Sequence, residues 1–563
     1  MKKLRWQLLI IFLTGLVVGI LLLGEQPEPV SPLASPEPVQ GGVYTEALVG
    51  SLMRLNPLLN FYNTTDREVS RLLFSGLLRF DGNGAPQVDL ADSWGVSKDG
   101  TLFNVTLREN AEWHDGEPVT ADDVIFTVEM LRNGSDIVPV DLQDFWKEIE
   151  VVKLDEKVLQ FRLPESFAPF PDYLTFGVLP QHLLDGNTLD EMIDLPYNIQ
   201  PVGSGPYRFN RLIVEDGEII GLSLAANGDY YGEKPYIDEI VFRYYPDAAS
   251  AMQAYRDGQV QGIGGVAQEI LPDVLAEPDL AIYTARRPEL SMVLFNLKDA
   301  EATFLQDAQV RRALMTGLNR QRIIDTILEG QAVVADGPIL PGTWSYYEGL
   351  KRVEFDPEAA KTLLKEAGFV LAAEGELVRK KEETALRFSL LYPDDEQHQR
   401  IAEAIQEYWT TLGAEVSLEA APYEVLLSER LAQRAYQAVL VDLNLSRSPD
   451  PDPYPFWDQA QSTGGQNYTQ WDNRVASEYL EQARVTVDLN ERGKFYRNFQ
   501  IIFTQDLPAL PLYYPVYTYA IDREVQGVRM GPLFDTPDRF ANVTEWFLVG
   551  QQPESAAAPV NTP

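Results

Sequence analysis

LRFSLLYPDDEQHQRIAEAIQEYWTTLGAEVSL, residues 386–418, is the stretch of the sequence that decides the fold class. Apolar and polar residues alternate over 386–390, which predicts a half-buried strand. Apolar residues then recur at helical spacing over 401–412, and Gly413 stands where a glycine commonly ends a helix. The alternation resumes at 416–418, and 438–443 is a short apolar run suited to a buried strand. This strand–helix–strand rhythm predicts an α/β fold in which helices cover a sheet.

Capping signals predict where two further helices begin. Thr120 is followed three residues later by an aspartate, as in a capping box. Asp356 precedes a proline, the usual order of an N-cap residue and the first helical position. Residues 146–163 and 218–245 are predicted to form mostly strands.

Composition limits the possible partners and the class of protein. The chain has 563 residues, and its 84 acidic residues outnumber 46 basic ones, which gives a formal net charge of −38. Hydrophobic residues make up 45%, enough for a folded core and too many for a disordered chain. The length predicts about three or four structural units. Nucleic acid is not an expected partner, because its phosphates are bound by lysine and arginine.

Several kinds of chemistry have no motif in this sequence. There is no cysteine, which excludes disulfides, thiolate nucleophiles and iron–sulfur clusters. The histidines, His114, His182 and His398, are far apart, and no phosphate-binding or dinucleotide-binding loop is present. His114 is interpreted as structural, and the glycines of GSG (203–205) predict a close backbone approach to a neighbouring strand or to a ligand. A pair of catalytic carboxylates, as in glycoside hydrolases, stays open.

The N-terminus carries the marks of export. In residues 1–24, three cations precede an apolar run at 8–23. This run is intermediate in length between a signal peptide and a membrane-spanning helix, so a cleaved signal and an uncleaved anchor both stay open. The positive flank predicts that the rest of the chain lies outside the cytoplasmic membrane. Residues 25–40 are predicted to be a Pro-rich tether and 549–563 a disordered tail.

Eight blocks of sequence together resemble one known family. They are LFSGL (73–77), LADSW (90–94), SKDG (97–100), HDGEP (114–118), TADDV (120–124), PVGSGPY (201–207), VRRAL (310–314) and DP (356–357). In order and spacing they resemble the extracellular solute-binding proteins of ABC importers, specifically the peptide/nickel-binding family of the oligopeptide- and dipeptide-binding type. The likeness spans about residues 41–548.

The resemblance implies an architecture. Such proteins have a two-lobe periplasmic-binding-protein-like fold, with hinge strands and an extra subdomain in the first lobe. For this chain the resemblance implies a first lobe at 41–284 and 508–548, with the extra subdomain at about 81–195. The second lobe is then expected at 285–507.

The resemblance also implies a function. A protein of this kind is not an enzyme, needs no cofactor or metal, and captures peptides in the cleft between its lobes for delivery to an ABC transporter permease. It acts outside the cytoplasm, at the outer face of the membrane or in the periplasm. Because there is no cysteine, it is not expected to be a lipoprotein, and an uncleaved N-terminal helix would be its membrane contact. Alternatives are an oligosaccharide or another small solute as ligand, or an exported glycoside hydrolase.

The resemblance places candidate ligand-binding residues after the strand at 438–443. Peptide-binding members hold the peptide amine with an acid that follows this strand, so Asp450 or Asp452 is expected in that role. Arg447 is a candidate partner for an anion. The alternative for the two aspartates is a turn-forming role in Asp-Pro pairs, and for the arginine a structural ion pair.

Three further residues are candidates for the walls of the cleft. Asn467 and Tyr468 resemble a loop that follows in the family, and Trp344 is an aromatic candidate from another segment. Packing in the core is the alternative for the two aromatic residues.

Overall fold

The computed structural model describes residues 37–134, 136–371, 375–446 and 449–549. The predicted signal or anchor at 1–24, most of the tether at 25–40 and the tail beyond Val549 lie outside the described residues. Within these ranges no helix is long and apolar enough to cross a lipid bilayer.

Strands and helices alternate along the chain. The strands are β1 (Val43–Val49), β2 (Leu78–Phe80), β3 (Pro86–Val88), β4 (Ala91–Val96), β5 (Leu102–Leu107), β6 (Glu150–Asp155), β7 (Val158–Arg162), β8 (Tyr207–Glu215), β9 (Glu218–Ala226), β10 (Glu239–Tyr245), β11 (Gly262–Ile263), β12 (Leu280–Arg286), β13 (Glu289–Phe295), β14 (Ala332–Val334), β15 (Lys380–Lys381), β16 (Thr384–Ala385), β17 (Arg387–Pro393), β18 (Glu415–Ala421), β19 (Ala438–Asn444), β20 (Ala509–Asp522), β21 (Val525–Gln526) and β22 (Phe547–Leu548). The α-helices are α1 (Thr64–Leu73), α2 (Ala121–Arg132), α3 (Val140–Glu148), α4 (Gln181–Leu184), α5 (Leu189–Met192), α6 (Ala248–Arg256), α7 (Leu271–Ala276), α8 (Ala308–Thr316), α9 (Arg320–Ile327), α10 (Pro357–Glu366), α11 (Glu396–Thr411), α12 (Tyr423–Val425), α13 (Tyr454–Trp457), α14 (Arg474–Val485) and α15 (Leu489–Asp506).

A twelve-stranded sheet runs through both lobes. Its order is β18-β17-β19-β13-β20-β11-β1-β10-β9-β8, and β12 and β14 also pair with β20. The first part of β20, Ala509–Tyr513, pairs with β13, and its later part, Val516–Asp522, pairs with β12. The chain therefore crosses between the lobes twice, at the β12–β13 connection and within β20. This confirms the two-lobe α/β fold with hinge strands; the predicted boundaries at 285 and 508 stay predictions.

The strand–helix–strand prediction for the second lobe is confirmed. β17 pairs in parallel with both β18 and β19, and α11 connects β17 to β18. Gly413 follows the helix with a φ of +89°, a conformation that glycine adopts without steric cost. The predicted helix starts are also present, because Thr120 and Asp123 form a capping box and Asp356 accepts amide hydrogen bonds at the start of α10.

The first lobe carries a second sheet. Strands β4, β5, β7 and β6 form a four-stranded antiparallel sheet, which lies within the residues predicted for the extra subdomain.

The sheet of the second lobe is buried on both faces. In β13, Val293 packs in one hydrophobic cluster while Met292 and Leu294 pack in another on the opposite face. A strand buried on both faces is apolar at successive positions rather than alternating.

Three of the family-like blocks, LFSGL (73–77), HDGEP (114–118) and PVGSGPY (201–207), meet at the end of α1. The Cβ that an alanine would add at Gly203 would lie 1.9 Å from the carbonyl oxygen of Leu73. His114 fixes the same loop: its Nδ1 accepts a hydrogen bond from the Gly203 amide, and its Nε2 lies 3.1 Å from the Gly205 carbonyl. Burial lowers the pKa of His114 to about 4, so the ring is neutral in this role. The glycines thus allow a close approach to a helix end, rather than to a strand or a ligand.

We expect Gly203→Ala to lower the free energy of unfolding by about 2–3 kcal/mol or to prevent folding, because the added methyl group meets backbone that cannot rotate away. The matched control is Gly228→Ala, whose added Cβ would meet nothing within 4 Å and should change stability by less than about 0.5 kcal/mol. Urea unfolding measures both. Equal stability of the two variants would contradict this account of the loop.

A histidine between two carboxylates lies at the start of α11. His398 Nδ1 lies 2.6 Å from Asp395, and Nε2 lies 3.0 Å from Asp442 on β19. Burial alone would lower the pKa of His398, but the hydrogen bond and negative charge of Asp442, together with Asp395, outweigh it and raise that pKa. The protonated ring therefore ties the helix start to the end of a neighbouring strand.

This arrangement predicts a pH-dependent contribution to stability. Because the pKa is raised in the folded state, the stabilisation is fully present below the unfolded pKa of about 6.5 and is lost as the pH rises through the folded value. His398→Gln should therefore destabilise the protein more at pH 5.5 than at pH 9, pH values chosen to bracket the ordinary pKa of about 6.5. Urea unfolding at both pH values tests this, with Gln397→Ala, at an exposed position of the same helix, as the control. A loss that is the same at both pH values would contradict it.

Candidate ligand-binding site

A cavity of about 570 Å³ lies where segments of both lobes meet. The first lobe contributes residues of four segments, 57–80, 131–146, 172–177 and 534–538. The second lobe contributes Asn444 at the end of β19 and, just after it, Ser446 and Pro449. Its volume is typical of small-ligand pockets, which measure about 300–1,000 Å³.

One face of helix α1, together with its C-cap residue Phe74, borders this cavity. Arg67, Ser70, Arg71 and Phe74 line it at helical spacing, whereas Val69 and Leu72 point into the hydrophobic core. Asn63 caps the N-terminus of the helix, and its side chain accepts a hydrogen bond from the Asp66 amide. The amphipathic pattern of α1 therefore orients these side chains toward the cavity.

A buried charge network ties α1 to β1 and to the helical turn at 536–540. Nη2 of Arg539 lies 2.6 Å from Glu46 on β1 and 2.8 Å from Glu68 on α1, and Arg539 and Glu46 are fully buried. Burial raises the pKa of Glu68, and the charge of Arg539 opposes that shift. Because Arg539 belongs to the short helical turn Thr536–Phe540, the network also fixes the segment that carries Asp535 and Asp538.

Seven of the residues that line the cavity are aromatic, and charged side chains line it as well. The aromatic lining consists of Phe61, Phe74, Phe80, Trp146, Tyr173, Phe176 and Phe534. Among the charged groups, Arg67 forms an ion pair with Asp535 at 3.2 Å, and Asp538 accepts hydrogen bonds from the amides of Phe534 and Asp535. Apolar walls with a few placed polar groups are typical of a site that binds a small organic ligand.

The structure gives Asp450 partners within the protein. Its side chain is 5% exposed and forms an ion pair with Arg492 of α15, and it accepts a hydrogen bond from the Tyr496 hydroxyl at 2.9 Å. Burial alone would lower the pKa of Arg492, but the charge of Asp450 outweighs it and raises that pKa. A role for Asp450 as an amine anchor stays a prediction, and a ligand ammonium would have to compete with Arg492.

Asp452 is paired as well. Its carboxylate lies 3.0 Å from Arg484 of α14, and burial raises its pKa to about 6 even though Arg484 opposes the shift. The carboxylates of both aspartates are mostly buried and ion-paired rather than solvated.

The other predicted residues lie in separate places. The Trp344 ring faces Arg492 at 5.2 Å, so it shares the surroundings of Asp450. Asn467 is fully buried and donates hydrogen bonds to the backbone of Asp458 and Trp471, which uses its amide within its own loop. Tyr468 packs against Arg434, whose guanidinium lies 5.0 Å from the ring.

The lining of the cavity includes none of the five candidates described so far, Asp450, Asp452, Trp344, Asn467 and Tyr468. Arg447 lies outside the described residues. The ligand-binding roles of all six stay predictions.

The segment around Asp450 also joins the lobes. The Asp450 amide donates to Asp172 at 2.9 Å, and the Ala168 amide donates to the Arg484 carbonyl at 2.6 Å. Arg492 reaches the carbonyl of Ala168 at 3.4 Å. The buried charge pairs therefore lie beside the cavity and hold the second-lobe segment against the strip 168–172 of the first lobe.

We expect Arg492→Met to lower the free energy of unfolding by about 3–5 kcal/mol, because it leaves the carboxylate of Asp450 buried without its cation. Adding Asp450→Asn to this variant should restore part of the loss. The matched control is Arg497→Met, an exposed position on the same helix, which should cost less than about 0.5 kcal/mol. Chemical denaturation measures all three. Equal losses at positions 492 and 497 would contradict the ion-pair account.

Comparisons with known proteins agree with this architecture. Residues 85–467 match the family model of the bacterial extracellular solute-binding proteins, family 5. The chain is 26% identical over 522 residues to the oligopeptide-binding protein AppA of Bacillus subtilis (strain 168), an alignment that covers 91% of this chain and 92% of that protein. It is 26% identical over 548 residues to the dipeptide-binding protein of Escherichia coli (strain K12), covering 92% and 96%.

A solved structure shows the same fold. The structure of AppA from Bacillus subtilis in complex with a nonapeptide superimposes with a TM-score of 0.64, at 24% sequence identity, over 91% of this chain and all of that chain. The matched family model covers more than half of the chain and extends from the first lobe to the loop at Asn467. This protein therefore belongs to the bacterial extracellular solute-binding proteins of family 5.

Proposed function

We propose that this protein captures short peptides in the cavity between its lobes and delivers them, chemically unaltered, to the membrane permease of an ABC importer. The observation that carries the proposal is the cavity itself. Its walls come from α1 and the segments 172–177 and 534–538 on one side, and from Asn444, Ser446 and Pro449 on the other. A ligand bound there touches both lobes, so its binding energy can favour one arrangement of the lobes over another. Relatives named for oligopeptide and dipeptide binding support peptide as the ligand class.

The chemistry of the walls suits a peptide. Aromatic rings can cover apolar side chains, while carboxylate and guanidinium groups can pair with the charged ends of a short chain. An oligosaccharide is less well supported. Of the three tryptophans that are candidates for stacking on sugar rings, Trp457 and Trp471 are 3% and 4% exposed within the core, and Trp344 faces Arg492 and does not line the cavity. The protein acts outside the cytoplasm in this proposal, and the role of the N-terminal segment as signal or anchor belongs to the proposal as well.

Titration calorimetry with trialanine tests the proposal. We expect saturable binding at one site per chain, a smaller radius of gyration by X-ray scattering on binding, and recovery of intact peptide by mass spectrometry after prolonged incubation. Asn444→Trp, which places a large side chain in the cavity from an exposed second-lobe position, should weaken binding at least tenfold.

The control for this substitution is Asn110→Trp, at an exposed position that does not line the cavity. It should leave the affinity unchanged. Cleavage of the bound peptide would reject a purely binding role. If no dipeptide, tripeptide or tetrapeptide binds, peptide is rejected as the ligand class.

A further inference from the structure

One wall of the cavity comes from two neighbouring segments of the first lobe. Pro139, Leu142 and Trp146 line the cavity at spacings of three and four residues, so one face of α3 borders it. The chain after β7 adds Tyr173 and Phe176 to the lining. We call these five residues the apolar wall.

Ring contacts join the two segments of the apolar wall. Phe145 of α3 stacks on Tyr173 with ring centroids 3.8 Å apart, and Trp146 meets Phe176 edge-on at 5.6 Å. Trp146 is fully buried and also packs edge-on against Phe170 at 6.1 Å. A packed aromatic cluster therefore backs the wall, and close packing fixes its shape before a ligand arrives.

The front of the apolar wall is still in contact with water. Pro139, Leu142, Tyr173 and Phe176 are each half-buried. Removing apolar surface from water is favourable, so a ligand group that covers these side chains gains most when the group is itself apolar. A polar group of the same size would lose hydrogen bonds to water that the wall does not replace.

The arginines of the cavity lie on other elements. Arg67 and Arg71 belong to α1 and Arg79 to β2, and all three line the cavity. Guanidinium groups can hold the carbonyl and carboxylate oxygens of a peptide main chain. A peptide held in this way is left with its side chains as the groups that can cover the apolar wall.

Three polar residues of the same two segments also line the cavity. Asp141 is exposed, the Asp172 carboxylate accepts the Asp450 amide at 2.9 Å, and the Thr175 hydroxyl donates to the Asp172 carbonyl at 2.9 Å. Burial raises the pKa of Tyr173 to about 12, so its hydroxyl is neutral. The described lining residues of these segments include no cation, so an acidic ligand side chain would find no partner here.

We propose that the apolar wall is a side-chain pocket, so that the protein prefers peptides that carry a bulky apolar side chain. This inference rests on the proposed function and adds the class of peptide. It assigns the main chain of the ligand to the charged elements of the cavity and one side chain to the face of α3. Leu142, at the front of that face, is the residue on which the preference most depends.

The experiment compares tripeptides that carry leucine, or the nearly isosteric asparagine, at one position among alanines. Each of the three positions is tested by titration calorimetry with the full protein, and trialanine is the reference. At one position or more, we expect the leucine peptide to bind at least about tenfold more tightly than the asparagine peptide, as burial of a leucine side chain would give. Its heat-capacity change on binding should also be more negative, because apolar burial has this signature.

Two substitutions test the assignment to the apolar wall. Leu142→Asn should weaken binding of the leucine peptide more than that of the asparagine peptide, and so remove most of the preference. Pro139→Asn should reduce the preference as well, and asparagine is a favoured residue at this N-cap position of α3. Thermal unfolding checks the fold of both variants. The matched control is Leu154→Asn, an exposed position on β6 outside the cavity lining, which should preserve the preference.

Equal affinities of the unmodified protein for the leucine and asparagine peptides at all three positions would overturn the preference while peptide binding stands. A lysine peptide that binds more tightly than the leucine peptide at every position would assign recognition to Asp141 and Asp172 instead. If the preference survives both substitutions in folded protein, the apolar wall does not cause it and the assignment is wrong. If none of these peptides binds, trialanine included, the proposed function fails first and this inference fails with it.

Discussion

The structure depends on one strand that pairs with both lobes. β20 forms backbone hydrogen bonds with β13 through Ala509–Tyr513 and with β12 through Val516–Asp522, so the two lobes share a single sheet. Pro515 lies where the partners change, and because proline has no N–H it cannot donate to either neighbour. Any change in the angle between the lobes must therefore be absorbed near this point and at the β12–β13 connection. The position of the cavity walls follows from this connection.

Two buried charge networks, one on either side of the cavity, hold the surrounding segments in place. In the first lobe, Arg539 ties α1 and β1 to the turn at 536–540. In the second, Arg492 neutralises Asp450 next to the strip 168–172. Such pairs add little net stability compared with apolar packing, since desolvating the ions is costly, but losing one partner is strongly destabilising. Their effect is to fix which segments meet, and so which side chains surround a ligand.

Local signals predicted the elements, and tertiary contacts determined the site. The strand at 386–390, the helix ending before Gly413 and the capping box at Thr120 follow from periodicity and hydrogen bonding within a few residues, and the structure has all three. The lining of the cavity could not be read in this way, because its segments are separated by tens to hundreds of residues. The spacing of Arg67, Ser70, Arg71 and Phe74 is a usable signal only once the opposite face of α1 is known to be buried.

Asp450 also shows what the sequence alone could not predict. An acid after a buried strand is a reasonable candidate for an amine anchor, yet the sequence gives no indication that Arg492, in a later helix, reaches it. Which charged side chains line one cavity is a property of the folded chain, which is why Arg71, Arg79 and Asp141 came together only in the structure.

The central claim is that a peptide binds between the lobes and contacts both. Photo-crosslinking tests it most directly: a tripeptide carrying a benzophenone side chain is bound and irradiated, and the labelled residues are mapped by mass spectrometry. The account predicts labels on first-lobe residues such as Phe61 and Phe176 together with second-lobe residues Asn444 and Ser446. Labels restricted to one lobe, or found only at the surface groove beside Trp344 and Arg497, would contradict it.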